Sequence, residues 1–110
     1  MPGGVGERRQ PTYPLETVWE AFAAGRFSVT RRVFNHLLLR GWKLETVRAC
    51  VLALTPQDFH KSQQHVAREG IWLDIYRPVF RGERLYVKFT PLEDDRNYRV
   101  LSFCGDGESH

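Results

Sequence analysis

The stretch that decides the fold is residues 71–91, which read IWLDIYRPVFRGERLYVKFTP. Strand-forming residues dominate it, and its one glycine stands in the short polar run 81–83. Two extended segments, 71–80 and 84–91, therefore predict a hairpin that is closed at 81–83. A third extended segment, 98–104, follows the polar run 93–97, so the C-terminal half predicts an antiparallel β-meander.

The N-terminal half shows helical periodicity instead. Apolar residues spaced i, i+3, i+4 and i+7 predict a helix of about ten residues that ends near Gly25. These residues are Leu15, Val18, Trp19 and Phe22. Residues 27–29 predict a short extended piece, Thr30 predicts the N-cap of a helix over 31–40 that ends at Gly41, and a third helix covers about 44–54.

The predicted core sides of the second and third helices follow from the same spacing. They comprise Val33, Phe34, Leu37, Leu38, Leu44, Val47, Cys50, Val51 and Leu54. Thr55 and Asp58 then resemble a capping box around Pro56. We expect a single turn over 56–62 that carries His60 and Lys61.

Helices first and strands second predict an α+β fold, with the N-terminal helices packed on one face of the C-terminal meander. At 110 residues the chain predicts one domain. Within it we interpret 1–11 as a flexible lead-in, 12–104 as the core and 105–110 as a polar tail.

Charge and composition narrow the class of protein. The net charge of +3 and the pI near 9.1 favour a polyanionic partner. We see neither an apolar run long enough for a membrane helix nor a secretory signal, so a cytoplasmic location is expected. The spacing of Cys50 and Cys104 fits no zinc motif, and we interpret the acidic residues 93–95 as a solvated turn, so no metal is predicted.

One amphipathic strand carries the candidate chemistry. Tyr86 and Lys88 are two residues apart and share a sheet face, whereas Leu85, Val87 and Phe89 point to the other. Cleavage of RNA without a metal needs a base for the ribose 2′-OH, a proton donor for the leaving 5′-oxygen and cations for the phosphate. A solvated sheet face with a surface lysine is the alternative from spacing alone.

Further candidates surround this strand. Lys61 can stabilise phosphate charge, and His60 and His65 are candidates for proton transfer, since histidine is the usual proton carrier near neutral pH. Arg77 can bind phosphate with two parallel hydrogen bonds. Each is also compatible with an ordinary surface residue, and spacing does not decide between the two.

Three motifs together resemble the MqsR family of toxins, which belongs to the RelE-like mRNA interferases. The motifs are DFHKS at 58–62, W-x-D-x-Y at 72–76 and LYVK at 85–88. The resemblance implies a type II toxin–antitoxin toxin, an endoribonuclease that cleaves single-stranded mRNA without a metal cofactor and inhibits growth. It also implies an MqsA-like antitoxin with a zinc-binding module and a helix-turn-helix module, and it places Lys61 and Tyr86 at active-site positions.

This chain departs from the family pattern at two positions. Leu73 stands where the family usually has Gln, and Cys104 stands where it usually has Lys. Each loss is expected to weaken substrate positioning or charge neutralisation by about 1–3 kcal/mol. The alternative reading is therefore a weakened or inactive toxin-fold module that binds RNA or a protein partner, unless Lys88 or His60 compensates.

Leu73 also poses a structural question. Together with Ile71 and Ile75 it alternates as a buried face, whereas the resemblance places it in the cleft. Either a bulge re-aims the strand or a leucine lines the site.

Overall fold

A computed structural model describes residues 6–108 of the chain. The helices are α1 (Leu15–Ala23), α2 (Arg31–Arg40) and α3 (Leu44–Leu52), and a 3₁₀ turn covers Pro56–Asp58. The strands are β1 (Glu7–Arg8), β2 (Phe27–Val29), β3 (Phe59–Gln64), β4 (Trp72–Tyr76), β5 (Val79–Phe80), β6 (Glu83–Pro91) and β7 (Tyr98–Gly105). The predicted α+β class is confirmed.

The strands form one mixed sheet in the order β1-β3-β4-β6-β7-β2, and β5 pairs with β6. Strands β3, β4, β6 and β7 pair antiparallel, which confirms the predicted meander and extends it by one strand. Strand β2 pairs parallel with the start of β7, from Phe27 opposite Tyr98 to Val29 opposite Val100. The sequence indicated this extended piece but not its parallel partner.

The helices cover one face of the sheet and enclose the core with it. Buried helical residues pack against β4, β6 and β7, as the apolar spacing predicts. The core contains Leu15, Val18, Phe22, Val33, Leu37, Val47, Cys50, Val51, Leu54, Tyr76, Leu85, Val87, Phe89, Tyr98, Val100 and Phe103. Thr30 caps α2 by accepting the Val33 amide at 3.2 Å, and Gly41 ends it in the left-handed conformation.

The predicted core side of α2 was too wide. Phe34 is 46% exposed and Leu38 is 63% exposed, and at the start of α3 Leu44 is 48% exposed. Val33 and Leu37, one turn apart, already fill the contact between α2 and the sheet. Phe34 and Leu38 lie about 100° further around the helix, and this turns them to solvent.

The predicted single turn over 56–62 was also wrong. The capping box exists, since the Asp58 carboxylate accepts the Thr55 amide at 2.8 Å, but the 3₁₀ turn ends at Asp58. His60 and Lys61 instead lie in β3, which pairs with β4 on one side and β1 on the other. Tertiary pairing makes a strand of a polar segment with weak strand propensity.

Strand β1 lies inside the predicted lead-in. Glu7 pairs with Gln63 and Arg8 with Ser62, so these residues belong to the sheet rather than to a flexible segment. Residues 1–5 lie outside the described residues, as do 109 and 110 of the predicted tail. The single-domain division stays a prediction.

A buried carboxylate fastens the N-terminal segment to the sheet. Asp74, fully buried in β4, accepts the amides of Thr12 at 3.0 Å and Tyr13 at 2.9 Å. Burial raises the pKa of Asp74, and hydrogen bonds from Ser62, Tyr13 and Thr12 oppose the rise. The aspartate of the W-x-D-x-Y motif is therefore a structural residue that orders the chain around β1.

No helix in residues 6–108 combines the length and the apolar character that a membrane span requires.

Replacing Asp74 by alanine is expected to lower the free energy of unfolding by about 2 to 4 kcal/mol, because two buried amides lose their acceptor. Asp94→Ala is the matched control, since Asp94 also accepts two backbone amides, those of Arg96 and Asn97, but in an exposed turn. Urea denaturation of both variants measures the difference. Equal losses would contradict the role assigned to Asp74.

Candidate functional site

The sheet face opposite the helices carries the polar side chains that the sequence analysis singled out. Lys61 pairs with Ile75, Ile75 with Lys88 and Lys88 with Ser102, so these four residues form a row across the sheet. Tyr86 lies two residues from Lys88 and therefore shares its face. We call the surface formed by Lys61, Tyr86 and Lys88 the cationic face.

A bulge in β3 directs Lys61 to this face. Phe59 pairs with Tyr76 and packs against its ring in the core, whereas Lys61 pairs with Ile75, the next residue of β4. Consecutive residues of β4 point to opposite faces, so Phe59 and Lys61 do as well. His60 is the extra residue of the bulge, and if β3 kept all its residues in a regular strand, Lys61 would share the core side with Phe59.

Lys61 is held by a carboxylate from the first strand. Its Nζ lies 2.7 Å from Oε2 of Glu7, and the hydrogen bond and charge of Lys61 lower the pKa of that carboxyl. Glu7 was not among the predicted site residues, because it lies in the predicted lead-in. Glu7 lies next to Lys61 because β1 pairs with β3. A strand of only two residues leaves no recognisable pattern in the sequence.

Tyr86 and His60 have pKa values displaced in opposite directions. Burial raises the pKa of Tyr86, with the charges of Lys61 and Arg77 opposing it, so the phenol keeps its proton at neutral pH. Burial, followed by the charges of Arg77 and Lys61, lowers the pKa of His60 from 6.5. The imidazole is therefore largely neutral at pH 7 and able to accept a proton.

Arg77 lies next to this group and is paired with Asp106. Its Nε and Nη2 lie 3.0 Å and 2.6 Å from Oδ2 of Asp106, beyond the end of β7. The charges of both residues act on His60 and Tyr86, which places the pair at the edge of the cationic face. Arg77 thus contributes positive potential, part of which Asp106 cancels.

The two positions that depart from the family pattern are buried. Leu73 is 5% exposed, and Cys104 is 3% exposed and pairs with Tyr86. The register of β4 with β3 is regular from Lys61 to Gln64, so no bulge re-aims β4 here. Leu73 lies on the same face as Ile75, but its side chain is buried and does not reach the surface of that face. Burial raises the pKa of the Cys104 thiol, which therefore stays uncharged.

His65 is not part of the group around Lys61. It lines a separate groove of about 660 Å³ together with Arg68, Trp72 and Arg99, and its Nδ1 accepts the Ala67 amide at 3.0 Å. Within 6–108, no three His, Cys, Asp or Glu side chains are grouped closely enough to hold a metal ion. His65 is therefore separate from the other predicted site residues. These are His60, Lys61, Arg77, Tyr86 and Lys88.

The pKa of His60 gives a direct test of this electrostatic arrangement. In an NMR titration we expect the His60 imidazole to titrate below pH 6.5, and Arg77→Gln to raise its midpoint because a nearby positive charge is removed. Arg48→Gln is the control, since Arg48 pairs with Glu45 on α3 and does not act on His60. A His60 midpoint at or above 6.5, or equal shifts in the two variants, would contradict the arrangement.

Comparison with known proteins identifies a protein family that matches most of this chain. The family described as "Motility quorum-sensing regulator, toxin of MqsA" matches residues 10–105. A protein of Escherichia coli (strain K12) named "mRNA interferase toxin MqsR" is 28% identical over 88 residues, which cover 80% of this chain and 90% of that protein. Lys61, Tyr86 and Lys88 lie within the matched residues, and Glu7 lies before them.

Proposed function

This chain belongs to the MqsR toxin family, and we propose that it is an endoribonuclease that cleaves single-stranded mRNA by attack of the ribose 2′-OH on the adjacent phosphate. The observation that carries the proposal is the common face of Lys61, Tyr86 and Lys88. Tyr86 supplies a proton donor there and Lys61 and Lys88 supply cations, while His60, next to Lys61 in β3, is the candidate proton acceptor; these are the groups that this reaction needs.

Lys61 is the residue that stabilises the scissile phosphate. Its ammonium already holds an anion, the Glu7 carboxylate at 2.7 Å, and the Lys61 side chain is 27% exposed. Ion pairs at the protein surface contribute little stability, so a phosphate oxygen displaces Glu7 at small cost. The charge that develops on the phosphate in the transition state then has a fixed cation beside it.

Proton transfer falls to His60 and Tyr86. The neutral His60 imidazole accepts the 2′-OH proton as O2′ bonds to phosphorus, and the bond from phosphorus to O5′ breaks. Tyr86 donates its phenolic proton to the departing O5′. The raised pKa of Tyr86 and the lowered pKa of His60 both favour the protonation states that these roles require at pH 7.

The products of this reaction are a 2′,3′-cyclic phosphate and a 5′-hydroxyl. No step draws on a metal ion, and the reaction proceeds in the presence of a chelator. The family is named for toxins of MqsA, and we propose that this chain likewise has an antitoxin that neutralises it. When that antitoxin is absent, cleavage of mRNA is expected to inhibit growth.

A second function is favoured by Leu73 and Cys104. Their buried, uncharged side chains offer a substrate neither an amide nor a cation. A module that binds RNA through the cationic face without cutting it fits this observation. It predicts salt-dependent binding without products.

Cleavage of single-stranded RNA by the purified protein in EDTA is the test of the nuclease. We expect Lys61→Ala and Tyr86→Phe each to slow cleavage at least about tenfold, since one loses the phosphate cation and the other the proton donor. Lys43→Ala, which removes an exposed lysine on the helical side, is the matched control and is expected to cleave normally.

An RNA that lacks the 2′-OH at the scissile nucleotide is expected to resist cleavage. Equal rates on this RNA and on the unmodified one would exclude the mechanism. RNA binding without products in every condition would favour the binding module instead.

A further inference from the structure

Helix α2 lies along the part of β7 that β2 does not cover. Strand β2 ends at Val29, opposite Val100, and the Thr30 amide then donates to the Val100 carbonyl at 3.1 Å as α2 begins. Val33 and Leu37 are the residues of α2 that are buried against the sheet. The helix therefore follows the edge of β7 towards Cys104.

The two flanks of α2 differ in character. Arg32 and His36, one turn apart, lie on one flank, whereas Phe34 and Leu38 lie on the other. His36 shares a small cleft of about 100 Å³ with Phe103 and Cys104. The flank that carries Arg32 therefore turns towards the edge of the cationic face.

Arg32 is close enough to act on two groups of this face. Burial and then the Arg32 charge lower the pKa of Lys88. At Cys104 the same charge opposes the rise in pKa that burial causes. The charge of a guanidinium on α2 thus acts on Lys88.

Lys88 differs from Lys61 and Arg77 in whether a carboxylate is paired with it. Lys61 is paired with Glu7 and Arg77 with Asp106, whereas no carboxylate within residues 6–108 lies at ion-pair distance from Lys88. The nearby Arg32 charge disfavours the charged form of Lys88, and a phosphate bound to Lys88 would offset that effect.

A buried hydroxyl lies beside Lys88. Ser102 is its cross-strand partner on β7, and the Ser102 Oγ makes no hydrogen bond to any described residue. Buried hydroxyls nearly always have a partner, and the exceptions call for a specific explanation such as a ligand. This polar atom is an observation independent of the charges.

We propose that Arg32 and Lys88 bind a second phosphate of the RNA strand, next to the scissile phosphate at Lys61 and Tyr86, with the Ser102 hydroxyl below them. Lys88 lies two residues from Tyr86, about 7 Å along β6, so the two phosphates belong to neighbouring nucleotides. The subsite rests on the proposed function for its substrate class, an RNA phosphodiester. It extends the site from the sheet onto α2.

The test measures binding of a short single-stranded 2′-O-methyl RNA, which keeps the phosphates but lacks the nucleophile, over a range of salt concentrations. We expect Arg32→Ala to weaken binding about tenfold at low salt and to reduce the slope of log K against log salt by about 0.7, the share of one phosphate contact. Arg32→Lys is expected to keep most of the slope, because the charge remains.

Arg31→Ala is the matched control, since it removes the same charge from the neighbouring exposed position, about 100° around the helix. We expect it to change the slope much less. Equal effects of Arg31→Ala and Arg32→Ala would overturn the subsite, because they would reduce it to a general effect of net charge. Thermal unfolding of each variant shows whether the fold is intact, and Arg32→Gln, which also removes the charge, provides the measurement if the alanine variant unfolds.

The same variants with unmodified RNA separate this inference from the proposed function. A wild-type protein that binds RNA through Arg32 but yields no products leaves the subsite standing and removes the nuclease. A wild-type protein that cleaves RNA without any dependence on Arg32 removes the subsite alone.

Discussion

The bulge at His60 is the constraint on which the site depends. A regular β3 would place Phe59 and Lys61 on the same face, and one of them would then lie on the wrong side of the sheet. The extra residue lets Phe59 pack on Tyr76 in the core while Lys61 faces outward in the row of Lys88. A single irregularity in one strand thus separates the hydrophobic face from the charged one.

The elements next to β3 and β7 hold the sheet in place around this bulge. Strand β1 covers the outer edge of β3 and brings Glu7 to Lys61, and the buried Asp74 carboxylate holds the segment that follows β1. On the far edge, α2 lies against β7, and the Arg32 charge acts on Lys88. Positive charge from a helix thereby adjoins Cys104, the neutral residue at a position where a lysine was expected from the family pattern.

The sequence predicted the elements whose signals are local. Thr30 and Gly41 mark the ends of α2, and the alternation over 85–89 assigns Tyr86 and Lys88 to one face. It did not predict β3, because FHKSQQ has weak strand propensity and becomes a strand through its neighbours. For the same reason it missed Glu7, whose contact with Lys61 spans 54 residues of sequence. Local pattern does not encode such distant pairings.

If the cationic face promotes attack of the ribose 2′-OH on the adjacent phosphate, the chemical groups at the ends of the RNA fragments will show it. Mass spectrometry of the fragments produced by the purified protein identifies these ends. We predict a 2′,3′-cyclic phosphate on one fragment and a 5′-hydroxyl on the other, with both forming at least about tenfold more slowly in Lys61→Ala. Fragments with a 5′-phosphate and a 3′-hydroxyl would contradict it, because they arise when water rather than the 2′-OH attacks the phosphate.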